Sequence, residues 1–289
     1  VTRAGIVAVV GKPNVGKSTL LNRLIGQKLA ITSSKPQSTR DRVTGILTLP
    51  GAQIVLVDTP GLLDPKYALQ RAMRATAIEA LTDADVVLYL VDATETDLRP
   101  LTEVAEISEL RTPVVVAFNK ADLLSPAQRQ EIAERHPDAV LISAVTGEGV
   151  DALVQRLIDL LPESPFLYPE DDLSTQDLRF FAAELIRETA LEQLADEVPY
   201  AIACQIEEFR EERDPVYIRA TIFVERESQK RIVIGQGGSR IREIGKVARA
   251  KIEELVGRGV YLDLWVKVLP NWRRDVKALR RLGYNVPEA

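Results

Sequence analysis

The sequence predicts an α/β chain in two units: a three-layer α/β/α domain on a mostly parallel sheet, then a smaller α+β domain. Three observations carry this. The apolar runs at 6–10, 84–91 and 112–118 are nearly continuous, as in strands covered on both faces, and helical patterns follow the first two. Residues 162–172 mix prolines and acids without a hydrophobic period, which reads as a linker. Beyond it Ile218, Ala220, Ile222 and Val224 alternate, as on a sheet with one covered face. A chain of 289 residues supports two cores. The boundaries expected are 1–165, a linker at 166–174, and 175–289.

Composition narrows the setting. With 46% hydrophobic and 27% charged residues the chain is globular rather than disordered. No apolar run approaches membrane-spanning length, and residues 1–5 lead straight into a strand, so neither a span nor a signal peptide is expected and the cytoplasm is the expected location. Cys204 is the single cysteine and there is one histidine, which excludes an intrachain disulfide and leaves few zinc ligands. The net charge of −5 hides an asymmetry: residues 230–289 hold 14 Lys+Arg against 6 Asp+Glu, or +8, leaving −13 elsewhere. A basic carboxy-terminal part suggests a polyanion-binding face, with ordinary solvated helix surfaces as the alternative.

The first strand runs into Gly11, Lys12, Pro13, Asn14, Val15, Gly16, Lys17 and Ser18, and Thr19 continues into a helix ending near Gly26. This strand, glycine-bounded loop and helix start form a phosphate cradle, because backbone N–H groups and the positive helix end converge there. Gly11 and Gly16 allow close approach, Lys17 brings charge to the outer phosphates, and Ser18 offers a hydroxyl to Mg²⁺. The polar segment 32–42 is suited to folding over phosphates, and Thr39 is its candidate second metal hydroxyl. Strands at 43–49 and 53–57, turned at Pro50-Gly51, deliver Asp58-Thr59-Pro60-Gly61 to a strand end. There Asp58 can hold magnesium through water, and the Gly61 N–H can reach the terminal phosphate. Helices are expected at 67–81, 98–110 and 149–160.

The run at 112–118 ends in Asn119, Lys120, Ala121 and Asp122. A carboxylate at Asp122 can accept two hydrogen bonds from guanine, and adenine would leave it unsatisfied. Asn119 would tie this loop to the cradle, and the Lys120 stem can cover the base. A strand at 139–142 leads to Ser143, Ala144 and Val145, whose backbone N–H groups can serve the guanine carbonyl oxygen. For GTP hydrolysis the catalytic set is Lys17, Thr39, Asp58 and Gly61, which neutralise charge around the transferred phosphoryl group. Leu62 follows Gly61 and cannot orient water, so slow unaided turnover is expected. Arg40 and Arg42 are more readily partner contacts or solvated side chains than catalytic groups.

In the second domain Ser174 with Asp177 suggests a capping box for a helix to about 194, ahead of strands at 201–208 and 216–225. Then Gly235, Gln236, Gly237 and Gly238 join a short helix to one reaching about 255, and a strand at 260–268 follows. A glycine loop between two helices lets a single-stranded nucleic acid approach the backbone. Ile234 and Ile241 can pack under bases, while Lys230, Arg240, Arg242 and Lys246 attract phosphates. These residues do not distinguish RNA from DNA. Trp272, near a short basic helix at 276–283, can either stack on a base or anchor the terminal helix.

Taken together, the guanine-nucleotide motifs, the leucine after Asp-Thr-Pro-Gly, the GxxG loop and the ending Leu264-Trp-Val-Lys-Val-Leu-Pro-Asn-Trp272 closely resemble the bacterial Era GTPase family over essentially the whole chain. The resemblance implies a P-loop GTPase domain followed by a type II KH domain. It implies a GTP-bound form that binds the 3′ end of 16S ribosomal RNA and assists maturation of the 30S subunit. It also implies a peripheral association with the inner membrane, although no amphipathic anchor is evident, and a potassium ion held by Asn14. A monomer is expected. Gly237 departs from the many clamps that carry a basic residue there, which shifts loop phosphate attraction to Arg240 and Lys230. The competing reading is a nucleotide-gated scaffold whose second domain binds protein; the intact glycines and the +8 segment weigh against it.

Overall fold

The computed structural model describes residues 1–33, 35, 37–95 and 98–287; Ser34 and Pro36 of the polar segment, and the last two residues, lie outside the described set. Two compact units result, Val1–Pro65 with Met73–Thr175, and Lys66–Ala72 with Gln176–Ala289.

The first unit is built from β1 (Arg3–Val10), α1 (Lys17–Ile25), β2 (Val43–Leu49), β3 (Ala52–Asp58), all but the first residues of α2 (Ala68–Asp83), β4 (Val86–Asp92), α3 (Leu101–Ala105), β5 (Val114–Asn119), α4 (Pro126–Arg135), β6 (Val140–Leu141) and α5 (Val150–Leu160). The strand order is β2-β3-β1-β4-β5-β6, with β2 antiparallel to β3 and the remaining pairs parallel. Continuous apolar strands require helices on both faces. Ala8 and Val10 of β1 and Val87 and Tyr89 of β4 bury against Ala77, Ala80 and Leu81 of α2 and Leu101 of α3. Leu20, Leu21, Leu153 and Leu157, fully buried, bring α1 and α5 onto the sheet. Parallel order places the loops after β1, β3, β5 and β6 at one edge, where ligands bind in open α/β sheets.

Two expected elements are shorter than the sequence suggested. The helix expected at 98–110 is only α3: Glu106 turns left-handed at φ 54°, and its N–H folds back onto Thr102 and Glu103. The strand expected at 139–142 forms ladder bonds only over Val140–Leu141. The proline- and acid-bearing stretch expected as a linker is held by hydrogen bonds to β2 and β3. The buried Gln53 amide accepts the N–H groups of Leu167 (2.8 Å) and Tyr168 (3.0 Å) and donates to Tyr168 C=O (2.9 Å), while Ile46 N–H donates to Leu173 C=O (2.9 Å).

The second unit runs α6 (Leu178–Gln193), β7 (Ala203–Arg210), β8 (Val216–Val224), α7 (Glu227–Ile234), α8 (Ser239–Val256), β9 (Val260–Val268) and α9 (Val276–Arg281). Its sheet is ordered β7-β8-β9, antiparallel then parallel. The alternating residues Ile218, Ala220, Ile222 and Val224 are buried against Ile186 and Ala190 of α6 and Ile244, Ala248 and Ile252 of α8. The expected capping box is absent. Asp177 itself caps α6, accepting Phe180 N–H at 2.9 Å, and Ser174 Oγ instead donates to Thr44 C=O at 2.5 Å. Trp272 is an anchor: fully buried, it donates Nε1–H to Ala201 C=O at 2.8 Å and stacks on Tyr284.

Candidate functional site

The cradle is closed by the loop between β1 and α1. Gly16 precedes α1 at φ 103°, and a Cβ there would stand 2.2 Å from Asn119 Nδ2, so both conformation and space demand glycine. Asn119, at the end of β5, explains that closeness: its Nδ2 donates to Val15 C=O and its Oδ1 accepts Ala144 N–H, both at 2.8 Å. One buried amide thus ties the cradle, the Asn-Lys-Ala-Asp loop and the 143–145 loop together. Gly61 lies equally tight on the cradle, since a Cβ there would meet Pro13 at 2.7 Å.

A pocket is lined by Asn14, Gly16, Lys17, Ser18, Thr19, Thr39, Gly61 and Lys120, and at its floor two hydroxyls meet the buried carboxylate of Asp58. Ser18 Oγ lies 2.9 Å from Thr39 Oγ1 and donates to Asp58 Oδ2 at 2.6 Å. Asp58 is fully buried, yet among the described residues its Oδ1 finds no hydrogen-bond donor. A buried carboxylate oxygen without a donor, beside two hydroxyls, is a hard-oxygen set of the kind magnesium takes, so these residues fit that ion. Lys17 is buried with Nζ on Lys12 C=O (2.7 Å) and Gly11 C=O (3.2 Å). Burial lowers its pKa to about 8 against the attraction of Asp58. Burial likewise raises the Asp58 carboxyl to about 6, opposed by Lys17 and by hydrogen bonds from Ser18 and Thr59.

The base-side loop is organised by side chains. Ser143 Oγ donates to Asp122 Oδ1 at 2.6 Å, orienting an exposed carboxylate, and Lys120 pairs with Asp92 at 2.5 Å. Leu62 is buried in the core with its N–H on Gly11 C=O at 2.9 Å, so its side chain is committed to packing. Of the two arginines, Arg40 is buried and Arg42 pairs with Glu79 and Asp83 of α2, both at 3.0 Å.

In the second unit the Gly-Gln-Gly-Gly loop joins α7 to α8. Gly235 (φ 74°, ψ 172°) faces Arg240 Cβ at 2.8 Å from its missing Cβ, whereas Gly237 faces open space. Next to the loop a groove opens between α8 and β9, lined by Ile241, Arg242, Gly245, Lys246, Arg249, Tyr261, Leu262 and Leu264. Its β9 wall was not foreseen, because the exposure of Tyr261 in a mostly apolar strand is set by the fold and carries no mark in the sequence. Lys230 is half-buried, and Gln236 and Gly238 complete the loop. Ile234 packs onto the core rather than into the groove, and Arg240 donates to Gln193 C=O at 2.8 Å, which commits part of its guanidinium to holding α6.

This combination of cradle, guanine-type loop and glycine clamp defines a P-loop GTPase joined to a KH domain. Family models agree: the 50S ribosome-binding GTPase family matches residues 6–120, and the KH domain matches 197–273. GTPase Era of Geobacter metallireducens is 44% identical over 291 residues, and that of Ectopseudomonas mendocina 46% over 292, each covering 98% of both chains. The crystal structure of an Aquifex aeolicus Era variant bound to GDP·AlF4⁻ matches with TM-score 0.91 and 43% identity. Era in complex with MgGDPNP and nucleotides 1506–1542 of 16S ribosomal RNA matches with TM-score 0.91 and 42% identity; both alignments cover 99% of this chain and 100% of the other. The chain belongs to the Era family of GTPases.

Proposed function

We propose that this protein binds GTP and Mg²⁺ in the cradle, hydrolyses GTP slowly, and in its GTP form grips the 3′ end of 16S ribosomal RNA to assist 30S subunit maturation. The observation that carries the nucleotide half is the three-oxygen set Ser18, Thr39 and Asp58 beside buried Lys17, in a chain whose family includes a member solved with MgGDPNP and this RNA. Bound magnesium would supply charge neutralisation at the phosphates. Lys17 and the cradle N–H groups hold the terminal phosphoryl oxygens, and Asp122 with the 143–145 loop selects guanine. Leu62 supplies no hydrogen bond to water, which accounts for slow turnover and leaves room for a partner or for a potassium ion at Asn14 to assist.

The domain assignment proposed is 1–165 for the GTPase, 166–174 for the linker and 175–289 for the KH domain. A monomeric state and a peripheral hold on the inner membrane belong to the same proposal; light scattering and vesicle co-sedimentation check them. Among the described residues no helix is long and apolar enough to cross a membrane.

The test uses the full chain and a labelled RNA carrying the 16S 3′ segment. Gly235→Asp should abolish binding, because a side chain there collides with Arg240, while GTP turnover persists. Gly237→Ala, with open space at the position, should weaken binding only a few fold, of the order that a left-handed residue costs. If both variants bind as wild type does, the second domain is not an RNA clamp and the scaffold reading takes its place.

A further inference from the structure

Arg23 belongs to no motif, yet it sits under the base-recognition loop. It lies in the last turn of α1, and its side chain crosses to residues more than a hundred positions away. Nε donates to Ala144 C=O at 2.5 Å, and Nη2 donates to Val145 C=O. Gly147 lets the loop pass over the guanidinium: its φ is 91°, and a Cβ there would lie 2.9 Å from Nη1.

The consequence follows from which peptide each carbonyl belongs to. Ala144 C=O and Val145 N–H are two ends of one amide. A cation on the carbonyl oxygen withdraws electron density and makes that N–H a stronger donor. The other donors of the loop are taken: Ala144 N–H by Asn119 Oδ1 (2.8 Å), Thr146 N–H by Ser143 Oγ (3.1 Å) and Gly147 N–H by Ser143 C=O (2.8 Å). Val145 N–H is the donor these bonds leave for a ligand.

We infer that Arg23 is a positioning residue for guanine specificity, holding and polarising the Ala144–Val145 peptide whose N–H meets the carbonyl oxygen of the base. This rests on the reading of residues 143–145 as the guanine loop. A neutral side chain could pack in the same place, but it could not charge the amide.

The test compares GDP with 6-thio-GDP, in which the base oxygen becomes sulfur, a poor acceptor. In the full-length protein Arg23→Ala should weaken GDP binding about three- to tenfold, the worth of a modest hydrogen-bond gain, and 6-thio-GDP binding by less than about twofold. Arg23→Lys, which keeps the charge but reaches one carbonyl, should recover part of the GDP affinity. Equal weakening of both nucleotides would mean a loop-folding role only, and no weakening of either would mean no role; each overturns the proposal. A wild-type protein with the same affinity for both nucleotides would remove the guanine-loop reading itself, a failure separable from that of Arg23.

Discussion

Asn119 shows how much of the site hangs on a single side chain. Its amide satisfies Val15 C=O and Ala144 N–H in a buried position, so truncation leaves two polar groups without partners. At about 1–3 kcal/mol for each, Asn119→Ala should lower GDP affinity by at least an order of magnitude and depress the melting temperature of the nucleotide-free protein. Isothermal titration and thermal denaturation read the two effects separately. Leu62 gives the opposite lesson. The sequence makes it tempting to restore a water-orienting glutamine there, but the side chain is 3% exposed inside the core. Leu62→Gln should therefore leave single-turnover hydrolysis no faster and cost roughly 1–3 kcal/mol in denaturant stability. A clear rate gain would show that the side chain can swing to the phosphates. The motif residues were legible because phosphate and guanine chemistry demand fixed residue types at fixed spacing. That Leu62 faces inward and that Arg23 underlies residue 144 are facts of tertiary packing, which no spacing encodes.

Helices tell a similar story through their ends. α4 carries no buried residue, so the apolar stripe that identifies most helices is missing, and it escaped notice. Its start was nevertheless written in Ser125, Pro126 and Gln128, which form a capping box with proline in the first turn. At α6 the capping pattern was misplaced by three residues. Ser174 and Asp177 both suit an N-cap, and only the fold shows Ser174 already committed to Thr44. Asp177→Ala should cost the second unit about 1 kcal/mol in urea titration, whereas Ser174→Ala should leave the stability of α6 unchanged. Trp272 is an element-level pin as well. Trp272→Phe removes its bond to Ala201 and should cost about 1 kcal/mol with RNA affinity unaltered, while Trp272→Ala should cost about 3–5 kcal/mol. Lost RNA binding in a stably folded Trp272→Phe protein would reinstate base stacking. Strands fared better than helix ends, because continuous and alternating apolar runs report burial directly, and burial is what the sheets enforce.

At the scale of the whole molecule the charge distribution and the two functions must be treated together. A protein of net charge −5 that binds a polyanion needs a local concentration of cations, and Arg242, Lys246 and Arg249 line one groove beside the glycine loop. Each phosphate neutralised on a single strand contributes about −0.7 to the slope of log affinity against log salt. Lys246→Ala should flatten that slope by about this amount while weakening all RNA sequences alike. Coupling between the functions is a stronger claim, and thermodynamics constrains it. If the terminal phosphate strengthens the RNA grip by some factor, RNA must strengthen the preference for GTP over GDP by the same factor. Coupling of about five- to 150-fold is the usual range. The measurement has four arms: RNA affinity with GDP and with GDPNP, and the GDPNP-to-GDP affinity ratio with and without saturating RNA, all in magnesium. Two equal ratios well above one are expected. Ratios of one would leave a GTPase and an RNA clamp that share a chain without informing each other. Chelating the magnesium should then lower the RNA ratio, because Ser18, Thr39 and Asp58 would sense the terminal phosphate through the ion they would hold.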